Sequence, residues 1–410
     1  MNAVVTKAER TVIALVERLK KDGSEPVCAF LYDKRELRGR AQTCADSLPE
    51  GCRLFYAMKA NPSRDYLECL APVVYGFEAA SIGEVRKVRE VSADKPIIFG
   101  GPGKKDYEIS EALELGVMLF HAESMHELRR ISLIAGRLGK IASVLLRVNL
   151  RASFPEATLV MAGRPTQFGI DEADVPEAIQ LAQSLPHLQL EGFHLHSISN
   201  NLDAHLHALL ISVYWDRVTE WKETFGLTVR YLNAGGGFGI SYTDLDRKFE
   251  WPVFIKELSR VLEEKRLPGV ELLFEPGRYL AATCGYYAAE VVDLKCNHDK
   301  HYAVLRGGSH HFRLPGAWQH SHPFEIVPLE QWDYPFPRPE VRDVEITAAG
   351  ELCTPKDVLA RDVRISRLRI GDVLLFHLAG AYGWTISAHD FLSHSHPDHI
   401  FFEAGQEDSQ

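Results

Sequence analysis

A rhythm of short apolar runs restricts the fold of this chain more than any other feature. The runs lie at Leu54–Met58, Val74–Phe77, Pro96–Phe99, Val117–His121, Ser143–Val148, Leu190–His196, Val229–Leu232 and Val270–Phe274. Longer stretches with apolar residues at helical period separate them, among them Ser124–Leu138, Asp174–Leu185, Leu206–Phe225 and Trp251–Lys265. Strands alternating with helices make βα units and a parallel sheet, the α/β class. Eight such units in roughly 250 residues suit a (β/α)8 barrel. A doubly wound open sheet is the other layout that this rhythm allows.

The rhythm does not cover all 410 residues. Met1 to Asp22 reads as an amphipathic helix with Val12, Ile13, Val16 and Leu19 on one side. Glu9 and Glu17 interrupt it, and no small-residue cleavage site follows, so a signal peptide is not expected. A strand-like run, Val27–Tyr32, comes next. From Gly285 the pattern becomes all-β: Tyr286–Leu294, Tyr302–Leu305, Val341–Ala348, Asp362–Ile365 and Asp372–Leu378 read as short strands. Pro323–Pro339, with five prolines, reads as a loop. The expected division is a helical segment 1–26, a barrel 27–284 whose first strand near 27 can join the β domain, a β domain 285–400, and a tail 401–410.

The formal charge of −10, from 56 acidic and 46 basic residues without long blocks, argues against nucleic acid or an anionic membrane as partner. An anionic small molecule is still allowed, because a local field can oppose the net charge. Nothing approaches the roughly 20 apolar residues that span a bilayer. The seven cysteines are scattered with no CxxC pair, which suits reduced thiols in a cytoplasm.

A barrel carries its reactive groups at the C-terminal ends of its strands. Lys59 closes the first run, where desolvation lowers an amine's pKa and favours Schiff-base chemistry; taken alone, it reads more readily as a lysine snorkelling from the rim. His194 and His196 end the sixth run and share one face. They suit a zinc pair without a third ligand nearby, core histidines, or an imidazole stacked on a flat ring. The seventh run ends in Asn233-Ala-Gly235-Gly236-Gly237-Phe-Gly239, a turn able to cradle phosphate. The eighth ends in Phe274-Glu275-Pro-Gly277-Arg278, where a carboxylate can hold a pyridine nitrogen protonated. His394-Ser-His-Pro-Asp-His399 matches a two-metal hydrolase signature, but it sits too late in the chain for downstream ligands and reads as a surface His-rich tail.

In order, Tyr-Ala-Met-Lys59-Ala-Asn, His-x-His196-x-x-Ser199, Gly235-Gly-Gly-Phe, Glu275-Pro-Gly-Arg278, Cys353 and Gly380-Ala-Tyr382 resemble the motifs of the ornithine/diaminopimelate decarboxylase family of pyridoxal-phosphate enzymes. The likeness spans about residues 27 to 390. It implies an alanine racemase-like (β/α)8 barrel with a C-terminal all-β domain. It also implies that Lys59 carries pyridoxal 5'-phosphate as a Schiff base and that His196 stacks on the ring. By the same likeness Ser199, Gly235, Gly236, Gly237, Gly277, Arg278 and Tyr382 hold the phosphate, and Glu275 bonds the ring nitrogen. Cys353 would reach in from a partner subunit as the acid, which implies a homodimer with a shared site. No metal is implied. Glu275 itself favours decarboxylation over racemisation, because a charged ring nitrogen strengthens the electron sink.

Two departures bear on the substrate. Where the family has an acidic residue after the cysteine, this chain has Thr354, and the family's Lys-Phe-Gly is Gln167-Phe-Gly169. Loss of the acid argues against a cationic distal tail. Met161–Gly169, Ser197–Asp203 and Ala379–Ser387 resemble the siderophore-biosynthesis (staphyloferrin) branch, which implies citryl-diaminopropionate converted to citryl-diaminoethane and CO2. An anionic citrate tail calls for arginine forks, and Arg164 and Arg313 are the candidates. The alternatives are a decarboxylase of a free diamino acid (diaminopimelate, ornithine or lysine), a non-catalytic binding relative, and a plain cofactor carrier of the same barrel.

Overall fold

The computed structural model describes residues 7–151, 159–160 and 165–404. The chain divides into two compact units. One comprises 38–241 and 246–280, the other 1–37, 242–245 and 281–410.

In chain order the main strands are β1 (Cys28–Asp33), β2 (Cys52–Ala57), β3 (Gly76–Ala79), β4 (Ile97–Phe99), β5 (Leu119–Ala122), β6 (Ala142–Asn149), β7 (Leu188–Leu195), β8 (Tyr231–Asn233) and β9 (Glu271–Phe274). In the first unit β2 to β9 are all parallel, and the pairing of β9 with β2 closes the sheet into an eight-stranded barrel. The open sheet is therefore excluded. Each strand follows one of the apolar runs, because a parallel strand covered on both faces is apolar on both. Phe55, Ile98, Leu119, Leu145 and Leu273 pack together inside as a buried cluster.

The helices start where short polar side chains cap them. Ser81 accepts from Glu84 N at the helix Ile82–Val91, Ser124 from Glu127 N at Met125–Arg137, and Asp203 from Leu206 N at Ala204–Phe225. The last of these ends on Gly226 in the left-handed region, with φ of 62°.

The second unit adds β10 (Gly285–Asn297), β11 (Lys300–Leu305), β12 (Phe324–Val327), β13 (Glu340–Ala349), β14 (Val358–Arg369), β15 (Val373–Phe376) and β16 (Asp398–Phe402). Its sheet runs β12-β15-β10-β11-β13-β14, with β1 paired antiparallel to β10 and parallel to β16. The helix Lys7–Asp22, expected as a segment of its own, belongs to this unit and buries Val12 and Val16 in its core beside Ala29, Leu31, Ala288 and Leu375.

Two expectations fail here. The proline-rich segment 323–339 is not all loop: Phe324–Val327 pairs antiparallel with β15, and Val327 and Leu329 enter the core. Pro323 and Pro328 only flank this strand, and it lies on the sheet edge, where proline is tolerated. Residues 401 and 402 are not tail either. They finish β16, and Ile400 and Phe402 pack on the same core as β1. The last two residues of the His-rich motif, Asp398 and His399, are thus strand, with His399 stacked on Phe30 at 5.4 Å.

Candidate active site

Within the barrel unit, chemistry-bearing side chains gather at the C-terminal strand ends. Lys59 lies in the turn Met58–Ala60 after β2, and its Nζ donates to Glu78 Oε2 of β3 at 3.2 Å. The Lys59 side chain is 51% exposed, whereas that of Glu78 is 6% exposed. Glu275 follows β9 and is buried. Asn233, the last residue of β8, donates its Nδ2 to Glu275 Oε1 at 2.6 Å and lies 3.1 Å from His121 Nε2. Asn233 Oδ1 accepts from Gly235 N at 2.8 Å, which fixes the orientation of the amide.

Two imidazoles, His121 and His194, stand 3.7 Å from the Glu275 carboxyl, and a third, His196, follows His194. The rings of His121 and His194 stack with centroids 3.8 Å apart, and His194 and His196 follow at 6.3 Å and nearly parallel. Burial drives all three pKa values well below the ordinary histidine value, so the imidazoles are neutral. Burial, then the neighbouring Glu78 carboxylate, pushes Glu275 up to about 8. Arg147 of β6 is held by Glu123 at 2.8 Å and lies over the Phe168 ring.

One donor atom each of His121, His194 and Glu275 lies within 4.8 Å of the others, the single such grouping among the described residues. The two imidazoles lie face to face, so their in-plane lone pairs run side by side and do not converge on one ion.

The glycines beside this floor leave no room for side chains. A Cβ on Gly235 would meet the His196 ring at 2.5 Å, one on Gly236 the Glu275 carbonyl oxygen at 2.4 Å, and one on Gly237 the Ile198 carbonyl oxygen at 2.6 Å. Gly235 and Gly237 also have φ of 65° and 95°. Among the described residues nothing accepts from the N–H of Gly236 or Gly237. Gly277 is as confined, since a Cβ there would lie 2.9 Å from the Ala57 carbonyl oxygen, and Arg278 opens the short helix Arg278–Ala281. Ser199 lies after β7 in a two-residue strand paired with Leu159–Val160.

The barrel unit contains Lys59, His196, Ser199, Gly235, Gly236, Gly237, Glu275, Gly277 and Arg278. Glu78, His121, Arg147 and Asn233 join them although the sequence did not single them out. Their one signal is that each stands at or next to the end of a run.

Cys353, Thr354, Arg313 and Tyr382 belong to the other unit. Cys353 is exposed on the loop between β13 and β14. Asp357 clamps that loop, accepting from Ser309 N at 2.6 Å and Leu352 N at 2.9 Å. Thr354 N donates to the Leu352 carbonyl at 2.8 Å. Arg313 is exposed, with its N–H on Ser387 Oγ. Tyr382 takes a left-handed φ of 54° in the turn after β15, a strained setting for a side-chain-bearing residue. Arg164 lies outside the described residues.

Residues 34–282 match the family model described as pyridoxal-dependent decarboxylase, pyridoxal binding domain. The chain belongs to the pyridoxal-dependent decarboxylases. It is 46% identical over 399 residues, 97% of this chain and all of the relative, to a 2-[(L-alanin-3-ylcarbamoyl)methyl]-2-hydroxybutanedioate decarboxylase of Staphylococcus aureus. It is 31% identical to a diaminopimelate decarboxylase of Vibrio cholerae, covering 81% of this chain and 77% of that one. The Helicobacter pylori diaminopimelate decarboxylase crystallised with L-lysine shares the fold, with a TM-score of 0.80 at 22% identity over 93% and 92% of the two chains. This decarboxylase is an enzyme of the alanine racemase-like barrel class, as its sequence motifs imply, and its cofactor is pyridoxal phosphate.

The barrel mouth suits such a cofactor. A half-exposed lysine amine, a buried carboxylate and two backbone N–H groups in a glycine-only turn match an aldehyde, a pyridine nitrogen and a phosphate in chemistry. No helix among the described residues is long and apolar enough to cross a membrane.

Proposed function

We propose that this enzyme decarboxylates citryl-diaminopropionate, releasing CO2 and citryl-diaminoethane, as a step of siderophore biosynthesis in the cytoplasm. The 46% identity over 97% of the chain to the Staphylococcus aureus enzyme carries this reading. Thr354, in place of an acid, supports a distal tail that is not cationic. The seven free cysteines support a reducing compartment.

When bound, the cofactor's protonated pyridine ring supplies the electron sink for the pair left behind as CO2 departs. Lys59 would hold the cofactor's aldehyde carbon through its Nζ, with Glu78 orienting that amine. Glu275 would bond the ring nitrogen and keep a proton there. His196 would pack on the ring. Ser199, Gly235, Gly236, Gly237, Gly277, Arg278 and Tyr382 bind the phosphate. Cys353 of the partner subunit returns a proton from its Sγ to the substrate carbon, so a homodimer shares each site. Arg164, Arg313 and Thr354 meet the anionic tail.

The test is CO2 release from citryl-diaminopropionate, ornithine, lysine and diaminopimelate by the cofactor-loaded protein, with its visible absorption recorded. Release from the citryl compound alone, and loss of both activity and the visible band in Lys59→Ala, are the expected results. Release from a free diamino acid instead would keep the chemistry and replace the substrate. A protein that takes up no pyridoxal phosphate would overturn the role of Lys59 and its neighbours.

A further inference from the structure

His194 stands out among the buried polar groups of the barrel. It is 3% exposed, yet neither Nδ1 nor Nε2 has a hydrogen-bond partner among the described residues. An unmade hydrogen bond inside a folded protein is costly, and a buried imidazole with two of them calls for an explanation.

Its surroundings provide one. His194 Nε2 points at Glu275 Oε2 from 3.7 Å, too long for a hydrogen bond. The other carboxylate oxygen already has a donor, Asn233 Nδ2 at 2.6 Å. Asn233 cannot turn to serve Oε2, because its own oxygen is held by Gly235 N. His121, stacked on His194 at 3.8 Å, approaches the carboxylate at Oε1, with Nε2 at 3.7 Å. Glu275 Oε2 thus accepts no hydrogen bond among the described residues, and His194 Nε2 faces it across that gap.

We propose that His194 is a conditional donor to Glu275: its Nε2–H closes onto Oε2 when the cofactor's ring nitrogen is brought against that carboxylate, and so positions the carboxylate to hold the ring proton. The inference rests on the assignment of Glu275 to the ring nitrogen. Before loading, a carboxyl group that retains its proton needs no second donor. After loading, the carboxylate carries charge in a buried site, where each donor strengthens its hold. Closing the gap takes a shift of about 0.8 Å, within the reach of a side-chain torsion. His194 is on this account a positioning residue, and His121 keeps its ring in the plane from which it can donate.

The experiment uses the loaded enzyme with pyridoxal phosphate labelled with nitrogen-15 in the ring, and reads the ring nitrogen's chemical shift. Wild type and His194→Gln, which retains a donor, should show a protonated ring nitrogen. His194→Phe, which retains the stacking surface, should shift toward the unprotonated value and lose about tenfold or more in kcat with KM little changed. A wild-type shift in His194→Phe overturns the inference. Glu275→Gln separates the two levels: if it too leaves the nitrogen unmoved, the assignment of Glu275 has failed, whereas a shift there and none in His194→Phe refutes His194 alone. A crystal structure of the loaded wild type serves if the Phe variant does not fold. A His194 Nε2–Glu275 Oε2 distance of about 3 Å is expected there, and one still near the present gap rejects the proposal.

Discussion

Glu275 shows how a single residue's surroundings set its chemistry. Its carboxyl sits in a floor of neutral imidazoles, and burial raises its pKa to about 8. Between roughly pH 4.5 and that value the folded barrel holds a proton that the unfolded chain has lost. Stability from this group is therefore fully present below the unfolded pKa and is lost as pH rises toward 8. Glu275→Gln has no such proton, so the fall in denaturant midpoint of cofactor-free protein between about pH 5 and pH 8 should be smaller than in wild type. Equal falls in the two proteins would show that Glu275 does not carry the effect. Lys59 and Glu275 were legible in the sequence because each sits inside a local motif. His121 and Asn233 were not, since a histidine and an asparagine at the ends of separate runs signal nothing until the barrel brings them within 3.1 Å of each other.

Among the elements, the barrel strands were the most legible and the edge strands the least. A parallel strand buried on both faces must be apolar throughout, and that necessity is written locally. β12 and β16 are edge or late additions whose apolar residues are framed by prolines or histidines, and only their pairing with β15 and β1 makes them strands. The glycine turn after β8 is fixed by its neighbours as much as by its own sequence. A Cβ on Gly236 would lie 2.4 Å from a backbone oxygen, which cannot swing away as a flexible side chain can. Gly236→Ala should therefore cost about 1–3 kcal/mol in the stability of the apoprotein, read by denaturant unfolding, and weaken pyridoxal phosphate binding as well. Unchanged stability and cofactor affinity would mean that the turn is looser than its packing indicates.

For the whole molecule the decisive question is whether Lys59 and Cys353 act in one chain or across two. If each site takes Lys59 from one subunit and Cys353 from the other, two inactive variants can complement. Lys59→Ala and Cys353→Ala, mixed in equal amounts and allowed to exchange subunits, should recover about a quarter of wild-type activity, since half the dimers are mixed and each has one intact site. No recovery despite proven exchange would place both residues of a site in one chain. The amino-acid sequence by itself determined the number of barrel strands, the α/β class and the glycine turn, because burial, period and backbone freedom are local demands on residue type. Only the tertiary structure decided that the sheet closes through β9 and β2, that the helix Lys7–Asp22 and β1 join the β unit, and that His121, His194 and Asn233 surround Glu275. Those facts depend on which distant segments meet, and the desolvation that shifts Glu275 exists only once they have met.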